Sequence, residues 1–136
     1  MHSQIFVNLP VKDLKRSVDF FTKLGYTFNP QFTDDNATCM IVGDNLFVML
    51  LTEPFFGGFT NKAITDTTQS TEVLTCLSCN GKQQVDDLVA KARAAGAKVP
   101  RQAQDHGFMY AHGYEDLDGH TWELVYMSGM PPAPGA

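Results

Sequence analysis

Apolar and polar positions change period several times along this chain. Residues 4–26, "QIFVNLPVKDLKRSVDFFTKLGY", open with an extended apolar run over 4–10. Leu14, Val18, Phe21 and Leu24 then recur at helical spacing over 13–24, and Gly25 closes the segment where a left-handed residue is needed. Strand-like runs follow near 26–33, 37–43 and 46–52. After a connector the same order returns: a strand over 71–79, a helix over 82–95, and strands near 97–102, 107–114 and 120–127. The second helix places Val85, Leu88, Val89 and Ala92 on one face and ends at Gly96. Phe6 falls opposite Leu74, Gly25 opposite Gly96 and Met49 opposite Glu123, with an offset that grows slightly, as in an old duplication with small loop insertions. The pattern predicts an α+β fold of two βαβββ modules: module one over 4–52, connector over 53–70, module two over 71–127 and a tail over 128–136.

The 136 residues suit one ordinary domain, and 43% hydrophobic content is enough for a core. A net charge of -5, with acidic residues interspersed, argues against nucleic acid as a partner. No cationic segment followed by an apolar run opens the chain, and no stretch approaches the roughly 18 apolar residues of a membrane span. The expectation is a cytoplasmic protein without a membrane partner. Two of the three cysteines form "CLSC" at Cys76 and Cys79. On a strand these positions face opposite ways, which favours buried structural cysteines over a redox pair, and no disulfide is expected. The connector, "EPFFGGFTNKAITDTTQS", carries Phe55, Phe56 and Phe59, which either pin the loop to the body or serve as a lid or dimer contact. Its prolines bar the tail, "MSGMPPAPGA", from helix or strand, so a flexible or loosely packed end is expected.

The stretches "VNLPVKDLKRSVDFFTKLGY", "VDDLVAKARAAGAKVP", "QDHGFMY" and "EDLDGHTWELVYM" resemble the vicinal oxygen chelate superfamily of glyoxalase I, bleomycin-resistance proteins and extradiol dioxygenases. They look closest to small bacterial proteins described as lactoylglutathione lyase-like. The resemblance implies two four-stranded units curving as mixed sheet around a concave cavity. It also implies metal ligands on the first and last strands of each unit, where this chain has Phe6, Met49, Leu74 and Glu123. Of these only Glu123 ligates a hard or borderline ion, whereas zinc, nickel or iron(II) in such a cavity needs three or four nitrogen, oxygen or sulfur donors. A slip of two residues keeps the same strand face and offers Gln4 or Asn8 on the first strand and Glu72 or Cys76 on the fifth. His106 and His112 lie roughly 20 Å apart along one extended strand and cannot share an ion there. "DLDG" reads as a hairpin turn rather than a calcium loop.

A turn centred between Asp118 and Gly119 would pair Leu117 with His120, set Tyr114 opposite Glu123 and leave His112 one diagonal step away. Three polar groups would then share one sheet face, an arrangement suited to acid–base work. The candidate catalytic set is therefore Glu123, His112 and Tyr114; the candidate ligand-binding set is Phe6, Asn8, Met49, Leu74, Cys76 and Tyr110. Glu123 is also the metal ligand if a divalent zinc, nickel or iron ion is bound, although no cofactor is the favoured expectation. Trp122 and Tyr126 point the other way by strand alternation, toward the helix-covered side. Gln83, Gln84, Lys12, Lys15 and Arg16 read as solvated helix faces. Three functions compete: a metal-independent cavity that binds a small amphipathic or partly aromatic molecule, a metal-dependent glyoxalase-like lyase or isomerase using Glu123, and a purely structural or protein-binding role. Catalysis itself is left open; as an enzyme the chain would be a lactoylglutathione lyase-like or dioxygenase relative. The resemblance and the aromatic connector add the expectation of a homodimer.

Overall fold

A computed structural model describes residues 1–135. Two units, Met1–Asp66 and Thr67–Ala136, each carry one open four-stranded mixed sheet with helices, an α+β fold consistent with two βαβββ modules. None of the helices among the described residues is long and apolar enough to cross a membrane.

In the first unit β1 (Ile5–Val11) leads to α1 (Leu14–Lys23), and β2 (Thr27–Asn29), β3 (Ala37–Gly43) and β4 (Leu46–Thr52) follow. The sheet order is β1-β4-β3-β2, with β1 parallel to β4 and the other pairs antiparallel. Pro10 is tolerated because β1 is an edge strand. The Asp13 side chain caps α1 by accepting from the Arg16 N–H at 3.1 Å. One face of α1 buries Ser17, Phe20 and Phe21, while Val48 and Leu50 are buried from the sheet. The strand expected over 26–33 stops at Asn29, because Pro30 has no N–H for the ladder and a 3-10 turn over Pro30–Phe32 takes its place. The start of the connector folds as the short helix α2 (Glu53–Gly57).

The second unit holds β5 (Leu74–Ser78), α3 (Lys82–Ala94), β6 (Gln104–Asp105), β7 (Met109–Glu115) and β8 (Thr121–Met127), in sheet order β5-β8-β7-β6. Helix α3 buries Val85, Val89 and Ala92, and Trp122, Leu124 and Tyr114 are buried from the sheet. Both long helices end in the expected left-handed glycines, Gly25 at φ 103 and Gly96 at φ 108. The strand expected over 97–102 is absent. Lys98 makes an isolated bridge to Glu115, Pro100 interrupts the donors, and pairing resumes only at β6. Five residues, 99–103, thus bulge outward opposite the three at 112–114. From Ser128 to Gly135 the tail is exposed and forms neither helix nor strand; residue 136 lies outside the described residues.

Candidate functional site

The turn between β7 and β8 sets the geometry of everything around Glu123. The Asp116 N–H donates to the His120 carbonyl at 2.9 Å and the Gly119 N–H to the Asp116 carbonyl at 3.0 Å, enclosing a three-residue loop, 117–119. Gly119 adopts φ 88 at its end, the pattern of a type I turn followed by a glycine bulge. The Asp116 carboxylate accepts from the Asp118 and His120 N–H groups at 2.9 and 3.0 Å and from the Trp122 indole at 2.9 Å. Burial pushes this carboxyl above its usual range, while His120 and the donors from Trp122 and Asp118 pull it back. His120 is itself buried, with Nδ1 at 2.8 Å from Glu72. The Thr67 hydroxyl donates to the Asp118 carbonyl, and the Thr67 carbonyl lies where any Cβ on Gly119 would be.

This loop is one residue longer than the two-residue turn read from the sequence, and the difference corrects the expected register. Tyr114 pairs with Trp122, Gly113 with Glu123 and His112 with Leu124. A slip of one residue moves every side chain of a strand to the other face. Tyr114 therefore leaves Glu123 and stacks on Trp122 in the core, with ring centroids 6.4 Å apart. His112 follows the same alternation, and its Nε2 lies 3.0 Å from the Arg101 carbonyl, tying the bulge to β7. Tyr110 also belongs to this set: its hydroxyl donates to Asp86 of α3 at 2.6 Å, a bond that pushes the phenol up. The expected Tyr114–Glu123 pairing does not form, and by strand alternation His112 and Tyr114 face away from Glu123, although all three residues line one cleft.

Glu123 instead stands on the open face of β8, half-buried, between Cys76 on β5 and Gly113 on β7. Cys76 is exposed rather than buried, yet partial desolvation and, after it, the charge of Glu123 push its thiol up, which keeps it protonated at neutral pH. A cleft of about 200 Å³ opens here, with Leu74, Ala111, Thr121 and Glu123 among its lining and Arg101 and Gln102 of the bulge with Gln104 of β6 along one side. Gly113 leaves the floor bare; a Cβ there would collide with the Trp122 carbonyl. Among the described residues, the Glu123 carboxylate has no hydrogen-bond or ion-pair partner. The bulge residues, Glu115, Thr121 and Gly113 were not read as site residues from the sequence. The one available signal was a glycine inside a strand pattern, which often marks close backbone approach.

In the first unit the level partner of Met49 is Asn8, whereas Phe6 pairs with Phe47 and stacks on it at 4.9 Å between centroids. Cys39 flanks Met49 on the other side and is buried. The level pairs are therefore Asn8–Met49 and Cys76–Glu123, the two-residue slip weighed above. Neither row fits a zinc, nickel or iron(II) centre: one offers an amide, a thioether and a buried thiol, the other a thiol and a single carboxylate. Among the described residues no three of His, Cys, Asp and Glu stand together to hold an ion.

Comparison with known proteins agrees with this architecture. Residues 4–43 match the family described as bleomycin resistance protein-like N-terminal. No curated protein matches the chain. Among solved structures, a hypothetical protein from S. aureus is 29% identical, with 93% of this chain and 95% of that one covered and a TM-score of 0.77. A glyoxalase-related enzyme from Fulvimarina pelagi is 18% identical, covering 100% and 96%, with a TM-score of 0.78. A genomically encoded fosfomycin resistance protein from Listeria monocytogenes is 16% identical, covering 97% and 96%, with a TM-score of 0.67. The last two speak for the fold alone. The match over residues 4–43 and the shared fold are consistent with the resemblance that the sequence motifs carry.

Proposed function

We propose that this chain is a glyoxalase/bleomycin-resistance-like protein that takes a small molecule in the cleft of its second unit, on apolar walls and Glu123, without the superfamily's usual metal centre. The observation that carries this reading is the setting of Glu123: a half-buried carboxylate at a cleft, flanked by a thiol and a bare glycine rather than by further ligands. A carboxylate so placed accepts hydrogen bonds from a ligand, and Leu74 and Ala111 take its apolar part. The metal-dependent lyase or isomerase reading draws on the likeness in fold to the glyoxalase-related enzyme from Fulvimarina pelagi and on the two adjacent donors Cys76 and Glu123, but it needs donors that neither row supplies.

A fragment screen of wild type and Glu123→Gln, beside denaturant melts of both, tests the reading. Because the Glu123 carboxylate has no hydrogen-bond or ion-pair partner among the described residues, the variant is expected to melt within about 0.5 kcal/mol of wild type while losing its cleft ligands. A variant destabilised by roughly 1–3 kcal/mol that still binds every hit would make Glu123 a structural residue instead.

The same reading includes a homodimer. Phe59 is 70% exposed and meets Phe55 edge to face with centroids 5.2 Å apart, apolar area that a second copy would cover. Sedimentation at micromolar concentration is expected to give a dimer that dissociates when Phe55 and Phe59 are both replaced by Ser; a wild-type monomer at that concentration contradicts the reading.

A further inference from the structure

The charges around the cleft bear on its ligand class, an inference that rests on the small-molecule reading above. Glu123 pairs with Gly113 and Glu115 with Thr121, so the two residues stand diagonally across one face of the β7–β8 ladder, positions about 7–8 Å apart along the backbone. Both are half-buried and both line the cleft. Among the described residues neither side chain has a hydrogen-bond or ion-pair partner. Of the basic groups nearby, Lys98 stands across the isolated bridge from Glu115 and outside the cleft lining, and Arg101 lies in the bulge. Among the described residues the row through Glu123 holds Cys76 and Gly113 and no basic group, and Arg101, which lines the same cleft, makes no ion pair with it. Two like charges on one sheet face repel each other, and a cation placed between them relieves the repulsion.

We infer that the cleft selects a small organic cation, a protonated amine carried on an apolar ring or chain, with the ammonium between Glu123 and Glu115 and the apolar part against Leu74 and Ala111. A volume of about 200 Å³ falls below the roughly 300–1,000 Å³ of sites for drug-sized ligands, so the occupant is fragment-sized. Gly113 and Ala111 keep the floor clear for a ring. Charge-assisted hydrogen bonds to two carboxylates give such a ligand its preference over a neutral molecule of the same shape.

The test uses three probes of similar shape, 2-phenylethylammonium, 2-phenylethanol and 3-phenylpropionate, titrated into the full chain while the backbone amide signals of Ala111, Gly113 and Thr121 are followed. The ammonium is expected to bind about tenfold or more tightly than the alcohol, with the preference falling as salt is raised. Glu123→Gln and Glu115→Gln should each cut the preference several-fold by weakening the ammonium more than the alcohol. Equal binding of ammonium and alcohol, or tighter binding of the carboxylate through Arg101, overturns the charge assignment while leaving the small-molecule cleft standing. If none of the three shifts these signals at millimolar concentration, the cleft reading itself falls, and this inference with it.

Discussion

Replacing Asp116 with Ala is expected to destabilise the second unit by about 3–5 kcal/mol, the largest loss from any single polar side chain in it. The carboxylate is buried and accepts from two backbone N–H groups and the Trp122 indole, so truncation leaves three buried donors without an acceptor. The loss should also loosen the hairpin that fixes the β7–β8 register, and with it the position of Glu123. Protonation gives a second handle. Burial holds the folded carboxyl above its ordinary range, so the folded chain binds this proton more tightly than the unfolded chain. Its contribution is therefore most favourable in acid and declines as pH rises from the ordinary carboxylate range through the raised folded value. Asp116→Asn has no such titration, so its deficit relative to wild type should be widest in acid and narrow toward neutral pH. Urea melts of both proteins across that range measure this; a deficit that widens as pH rises contradicts the assignment.

Gly113→Ala is the second large effect, expected to cost about 2–3 kcal/mol although it adds one methyl group. The added Cβ would overlap the Trp122 carbonyl and press on the Glu123 backbone, and both sit in a ladder that cannot shift without breaking pairs. Gly129→Ala provides the comparison, since nothing lies within 4 Å of its Cβ position, and it should melt within about 0.5 kcal/mol of wild type. Equal stability of the two variants would mean that β7 and β8 do not approach as described.

Much of the architecture could be read from periodicity, because an amphipathic helix and an alternating strand announce which face they bury. The boundaries of α1, β3, β4, α3 and β8 fall within one or two residues of those expected. The failures are local and have physical causes. Pro30 and Pro100 end or interrupt strands that composition alone extends through them. The chemistry around Glu123 depended on a single residue of turn length: "DLDG" suits either a two-residue or a three-residue hairpin, and the choice decides whether Tyr114 or Gly113 faces Glu123. The side-chain acceptor that favours the longer loop, Asp116, receives its third bond from Trp122, a contact formed only after the strands pair. The cleft was illegible for the same reason, since its side wall is a bulge produced by failed pairing over 99–103. The donor-poor character of the first and last strands, by contrast, was carried by residue type alone: Phe6, Asn8, Met49 and Leu74 cannot become carboxylates or imidazoles in any register.

Whether the cleft binds its ligand through Glu123 without a metal ion is open to one decisive measurement. Protein purified without an affinity tag is subjected to elemental analysis, and the same sample is titrated with ligand in the presence of a chelator and then with added nickel, zinc or iron(II). Far less than one ion per chain is expected, with cleft signals that respond to ligand in the chelator and no gain on adding metal. One tightly held ion per chain, or ligand binding that arises only after metal is supplied, would contradict a metal-independent cleft.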